Sequence, residues 1–145
     1  MSRQRSKARS LAAQALYQWQ MAGQPVSEIL AQFLTEHAET RFDRDYFRDL
    51  LEGVPRELTA LDEALAPALD RDIERVDPVE RAILRLGAYE LLRHPEVPYK
   101  VAINEAVELA KLFGAEQGHR YVNGVLDRTA RRLRALETGA GNAAG

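Results

Sequence analysis

Apolar residues recur along this chain at the three- and four-residue spacing of a helix face, and almost nowhere at the two-residue spacing of a strand. Leu11, Ala12, Ala15, Leu16 and Trp19 form the first such stripe, and Val122, Val125, Leu126, Thr129 and Leu133 form the last. No alternating run of β-branched residues is bounded by hairpin turns. A chain patterned this way buries its apolar sides by packing helix on helix, so the fold class is all-α. Its 145 residues suit one domain.

Caps and breakers divide the pattern. The first helix is expected over about residues 6–21, with the basic residues before its stripe as a flexible arm and Gly23-Gln24-Pro25 as its end. A second covers about 27–37, with Ile29, Leu30, Phe33 and Leu34 inward. A third follows Asp43 and carries Tyr46, Phe47, Leu50 and Leu51. Gly53-Val54-Pro55 should kink or split it, because proline lacks an N–H and its ring clashes with the preceding turn. Leu58, Leu61, Leu65 and Leu69 resume helical spacing. Asp77-Pro78-Val79-Glu80 is the sharpest helix start: Asp77 caps, Pro78 fits the first helical position, and Glu80 is placed to reach back in a capping box. That helix runs to about Leu92, and two more are expected over about 101–113 and 119–136. Asn123-Gly124 reads as a close packing point or a buried cap. The tail 138–145 has nothing to bury and is expected to be disordered, leaving 1–137 as the domain.

A net charge of −2 hides a segregation. Residues 1–24 hold Arg3, Arg5, Lys7 and Arg9 and no acid. Residues 25–118 hold 11 basic against 20 acidic side chains, and residues 119–145 are basic again. Basic ends around an acidic middle suit two different partners, one of them polyanionic. The arginine-rich start can release counterions from a phosphate backbone, with Ser2, Ser6 and Ser10 adding hydrogen bonds; the plainer reading is a solvated terminus. Tyr121, beside His119 and Arg120, can stack on an unpaired base or pack as a half-buried aromatic. Arg131, Arg132 and Arg134 read as a solvated helix face that complements the C-terminal dipole, with RNA contact as the alternative. Asn104, Glu105, Glu108 and Lys111 read as a hydrogen-bond set on a helix surface.

Catalytic signals are weak. No cysteine is present, which removes disulfides, thiolate metal sites and cysteine nucleophiles, as a cytoplasmic protein allows. Neither a phosphate-binding glycine loop, a Ser-His-Asp order nor a zinc spacing occurs, so the expectation is no enzyme and no cofactor. No apolar run has the length of a membrane span.

Longer blocks resemble one family. Ala13-Gln14-Ala15-Leu16-Tyr17, then Tyr46-Phe47-Arg48-Asp49-Leu50-Leu51-Glu52-Gly53-Val54, then Val79-Glu80-Arg81-Ala82-Ile83-Leu84-Arg85-Leu86 with Tyr89-Glu90-Leu91 are similar to successive helices of NusB proteins. The most specific block runs from Val97-Pro98-Tyr99-Lys100 through Asn104-Glu105-Ala106 to Phe113-Gly114 and continues in Tyr121-Val122-Asn123-Gly124-Val125-Leu126-Asp127. The resemblance covers roughly residues 3–130 in family order. It implies a compact all-α domain of two small packed helix bundles. It implies a transcription antitermination factor that binds boxA RNA of ribosomal RNA operon leaders together with NusE, a small-subunit ribosomal protein, and promotes read-through by RNA polymerase with NusA and NusG. By resemblance the RNA-binding residues are Arg3, Arg5, Lys7, Arg9, Glu116, Gln117, Gly118, Arg120 and Tyr121, and the NusE contacts are Tyr17 and Glu80. The free state is left open between monomer and homodimer. Two rivals remain. The RNA methyltransferases that carry a NusB-like part need catalytic cysteines, which this sequence lacks. A protein-only adapter would leave the basic start without a role.

Overall fold

Ser2 starts the first helix: its hydroxyl oxygen accepts the Arg5 N–H at 3.2 Å. In the computed structural model, which describes residues 2–139, α1 therefore spans Arg3–Ala22, and the expected flexible arm is its first turns. Gly23 ends it at φ 68°, a left-handed conformation that suits glycine, with its N–H on the Trp19 carbonyl. After α2 (Val26–Glu36), Asp43 accepts the Tyr46 N–H at 3.0 Å and opens α3 (Arg44–Arg56). Pro55 falls in the last turn of α3, so the split comes just beyond it, at Glu57, before α4 (Leu58–Leu65). Two short 3-10 turns, Ala66–Ala68 and Ile73–Arg75, lead to α5 (Pro78–Arg93). The chain then forms α6 (Tyr99–Phe113), α7 (Gly118–Leu133) and a short α8 (Ala135–Thr138).

Helices α1–α3 pack together, α4–α7 pack together, and α5 touches both groups, which is the expected pair of small bundles. Every residue of α5 from Arg81 to Leu91 is buried. Phe47, Leu50 and Leu51 from α3 and Leu11 and Leu16 from α1 join Ile83, Leu84 and Leu86 of α5 in one core. Each such side chain contributes roughly 1.5–3 kcal/mol on burial. Two glycines allow close approach. Gly53 faces the Tyr89 ring, and a Cβ at Gly87 would lie 2.7 Å from a Leu126 methyl. Asn123 is exposed, and a Cβ at Gly124 would meet only the Arg128 guanidinium at 3.8 Å, so the close packing expected at 123–124 lies at these other glycines.

The expected last helix breaks at Arg134, whose side chain turns inward. Its guanidinium donates to the backbone carbonyls of Leu91 at 2.8 Å, His94 at 2.9 Å, Val97 at 3.1 Å and Glu90 at 3.3 Å. These include the Leu91 carbonyl near the end of α5, so Arg134 caps that helix from another element. Glu137 in turn accepts the Tyr99 N–H at 2.8 Å and caps the start of α6. Of the tail expected at 138–145, Thr138 closes α8 and Gly139 follows it; the remainder lies outside the described residues. Among the described residues, no helix is long and apolar enough to cross a membrane, and no three acidic or histidine side chains gather as a metal site.

Candidate RNA-binding surface

The four basic residues of α1 have three different fates. Helical spacing puts Arg3 and Lys7 on one face; both are exposed, and neither forms an ion pair among the described residues. Arg5 is half-buried. Its guanidinium lies 4.2 Å from the Tyr46 ring centroid, within 3.7 Å of Asp43 and 3.8 Å of Glu96. Arg9 is 1% exposed. Its Nε donates to both Glu90 oxygens at 2.9 Å, and Glu105 lies 3.2 Å from its Nη1. Tyr46 also donates to Glu90, which is fully buried. Burial alone would lower the Arg9 pKa, but the Glu90 bond and charge outweigh it and hold the guanidinium charged. Arg9 is thus an internal cation joining α1 to α5 and α6, and the expectation that it touches phosphate is corrected on that ground.

Glu105 is where α6 meets this patch. Its carboxylate accepts the Ser6 hydroxyl at 2.6 Å and pairs with Arg9, so it is part of a helix–helix contact and not of a free surface set. With Glu108 and Leu112 it borders an open groove of about 590 Å³ against Arg3 and Lys7. The spacing of Ser2, Ser6 and Ser10 was visible in the sequence, but nothing there places α6 beside them.

A second basic-aromatic cluster begins α7. Glu116, Gln117 and Arg120 are exposed, and Arg120 has no ion-pair partner among the described residues. Gly118 is buried: a Cβ there would come within 2.8 Å of a Glu80 carboxylate oxygen. Side-chain atoms cannot be added at that position without moving Glu80, so Gly118 can offer a ligand only its backbone. Tyr121 is half-buried, and its hydroxyl donates to Asp70 at 3.0 Å. The Arg71 guanidinium stands 5.3 Å from the Tyr121 ring centroid. Hydrogen bonds from Arg71 and Tyr121 hold the Asp70 carboxyl down at about 2. Tyr121 is therefore an anchored, half-buried ring with Arg71 beside it. Between this cluster and Arg3/Lys7 runs α6, which rises roughly 12 Å from Glu105 to Phe113. Further along α7, Arg128 and Arg132 donate to the carbonyls of Ala68 and Ala64, and Arg131 pairs with Asp127.

Tyr17 opens on a separate groove, and Glu80 lies between that groove and the α7 cluster, next to Val79 and against Gly118. Tyr17 is 39% exposed and lines a groove of about 480 Å³ with Phe33, Val79, Ile83 and Phe113. Asp77 accepts the Val79 and Glu80 N–H groups, but among the described residues Glu80 makes no return bond, so the capping box is half formed. The Glu80 carboxylate instead rests against Gly118. Burial, reinforced by the charge of Asp77 and opposed by Arg71, pushes its pKa up. A half-buried acid beside an apolar groove suits a partner that brings both a cation and apolar side chains.

Comparison with known proteins places this arrangement. The NusB family profile matches residues 6–131. A transcription antitermination protein NusB of Nitrosococcus oceani is 58% identical over 137 residues, spanning 94% of this chain and 92% of that protein. A NusB structure from T. maritima superposes with a TM-score of 0.80 at 32% identity, covering 90% of this chain and 93% of the other. A crystal structure of antitermination factors NusB and NusE in complex with double-stranded RNA superposes with a TM-score of 0.82 at 28% identity, covering 91% and 99%. With its profile matched over most of its length and its bundles superposed on solved members, the chain belongs to the NusB family.

Proposed function

We propose that this chain is a transcription antitermination factor that binds boxA RNA together with NusE and carries out no bond-making step. The observation that carries the reading is the pair Arg3 and Lys7, two cations without ion-pair partners among the described residues on one exposed helix face, accompanied by exposed Arg120 and half-buried Tyr121. Cations at one end position the RNA backbone, and the aromatic ring stacks an unpaired base. Arg5 adds a partly screened charge, while Glu116, Gln117 and the Gly118 backbone border the path. Tyr17 and Glu80 form the NusE contact, supported by the apolar groove at Tyr17 and by the relative solved with NusE. The assembled complex acts on RNA polymerase with NusA and NusG in the cytoplasm.

The related complex holds double-stranded RNA, so duplex recognition is a second reading with its own support. One titration series separates the readings. The protein, NusE and boxA RNA are mixed at moderate salt, with the RNA single-stranded or annealed to its complement. The expected result is a ternary complex on the single strand, in which NusE raises RNA affinity and RNA raises NusE affinity by the same factor. Preference for the duplex would favour the second reading. No RNA binding, with NusE binding intact, would leave a protein-only adapter.

A further inference from the structure

The groove between α1 and α6 contains an electrostatic contradiction. Arg3 and Lys7 make one wall attractive to phosphate, yet Glu105 and Glu108 stand on the opposite wall and repel it. Glu105 has a structural role, since its side chain is 13% exposed and engaged by Ser6 and Arg9. Glu108 has none of comparable weight. Its side chain is 69% exposed, and its one ion pair among the described residues is to Lys111 at 3.4 Å on the same helix. Beside it Leu112 is 68% exposed, an apolar side chain lining the same groove as the cations.

Resting on the RNA-binding reading, we propose that this groove seats one unpaired guanosine and that Glu108 is its specificity-determining residue. The three features then have distinct roles. Arg3 and Lys7 hold the flanking phosphates. Leu112 offers an apolar surface to the face of the base. The exposed carboxylate of Glu108, an acceptor-only group with two oxygens of which one is paired with Lys111, meets the base edge. Guanine is the base whose Watson–Crick edge presents two adjacent donors, N1–H and the N2 amino group. Adenine and cytosine each set a ring-nitrogen acceptor beside their single amino donor, and uracil flanks its N3–H with two carbonyl oxygens. A carboxylate facing those three edges meets a repelling lone pair. Lys111 offsets part of the charge that Glu108 would otherwise turn on the phosphates. The groove volume of about 590 Å³ leaves room for a base and its sugar.

The test is fluorescence anisotropy at low salt with oligouridylate dodecamers bearing one central guanosine, inosine, adenosine or cytidine. Inosine lacks only the N2 amino group. The wild type is expected to prefer guanosine over inosine by roughly fivefold, the lower end for a bidentate contact at an exposed site. Glu108→Ala and Glu108→Gln are expected to bring that ratio to about one while melting like the wild type. Equal wild-type affinity for all four oligomers overturns the proposal. So does a guanosine preference that survives Glu108→Ala, or a uniform tightening of all four, which would make Glu108 a repulsive charge and nothing more. Failure of the wild type to bind these oligomers and boxA RNA alike would overturn the RNA-binding reading as well.

Discussion

Arg9 separates what a basic cluster looks like from what it does. Replacing it with Met retains much of the aliphatic packing while removing the charge. The change strips Glu90 of two hydrogen bonds at 2.9 Å and leaves that carboxylate, 0% exposed, with the Tyr46 hydroxyl as its remaining partner. Breaking a buried pair from one side costs about 3–5 kcal/mol, because the surviving charge has no water to solvate it. For a domain of this size that corresponds to a melting temperature roughly 10–15 °C lower. Adding Glu90→Gln in the same chain should recover part of the loss, since it removes the stranded charge. The assay pairs thermal melting with RNA titrations over a salt series. Arg9→Met should leave the salt dependence of RNA binding unchanged, whereas Lys7→Ala should reduce its slope by about one counterion. If Arg9→Met melts like the wild type and flattens the salt slope as Lys7→Ala does, Arg9 is a surface cation and the buried-pair argument is wrong.

Tyr121→Ala should weaken RNA binding by about 1–3 kcal/mol with the fold retained, and Tyr121→Phe should keep most of the affinity; a molten Ala variant would assign the ring to the core alone. Glu80→Gln should raise the melting temperature at pH 7 and give no gain at pH 4. The folded state binds the Glu80 proton more tightly than the unfolded chain, whose value is near 4.5, so stability falls as pH rises above that point and the amide escapes this cost. The same substitution should weaken NusE binding, and unchanged affinity would remove Glu80 from that contact. Arg134→Ala, which leaves the Leu91 and Val97 carbonyls without their side-chain donor while those of Glu90 and His94 keep backbone N–H partners, should cost roughly 3 kcal/mol by denaturant titration and leave RNA affinity unchanged; a specific RNA defect in a stable variant would return Arg134 to the binding surface.

The helical class and most element positions were legible in the order of residues, because apolar spacing, Asp77-Pro78 and Gly23 act within a few residues of themselves. Two local signals were missed even so. Ser2 is a good cap, which carries α1 back through the basic start, and a proline in the last turn interrupts little, so α3 runs past Pro55. Of the residues that the resemblance singled out, Arg3, Lys7 and Arg120 are exposed and Tyr121 is half-buried. Sequence alone treated Arg3, Arg5, Lys7 and Arg9 as four equal charges. Their difference depends on Glu90, 81 residues from Arg9, and on Glu105, 99 residues from Ser6. In the same way, Arg134 became a helix cap only when α7 was laid beside the end of α5. Local hydrogen bonding and periodicity determine which segments coil. The burial of a charge depends on what another helix brings against it, and that is decided only when the bundles close.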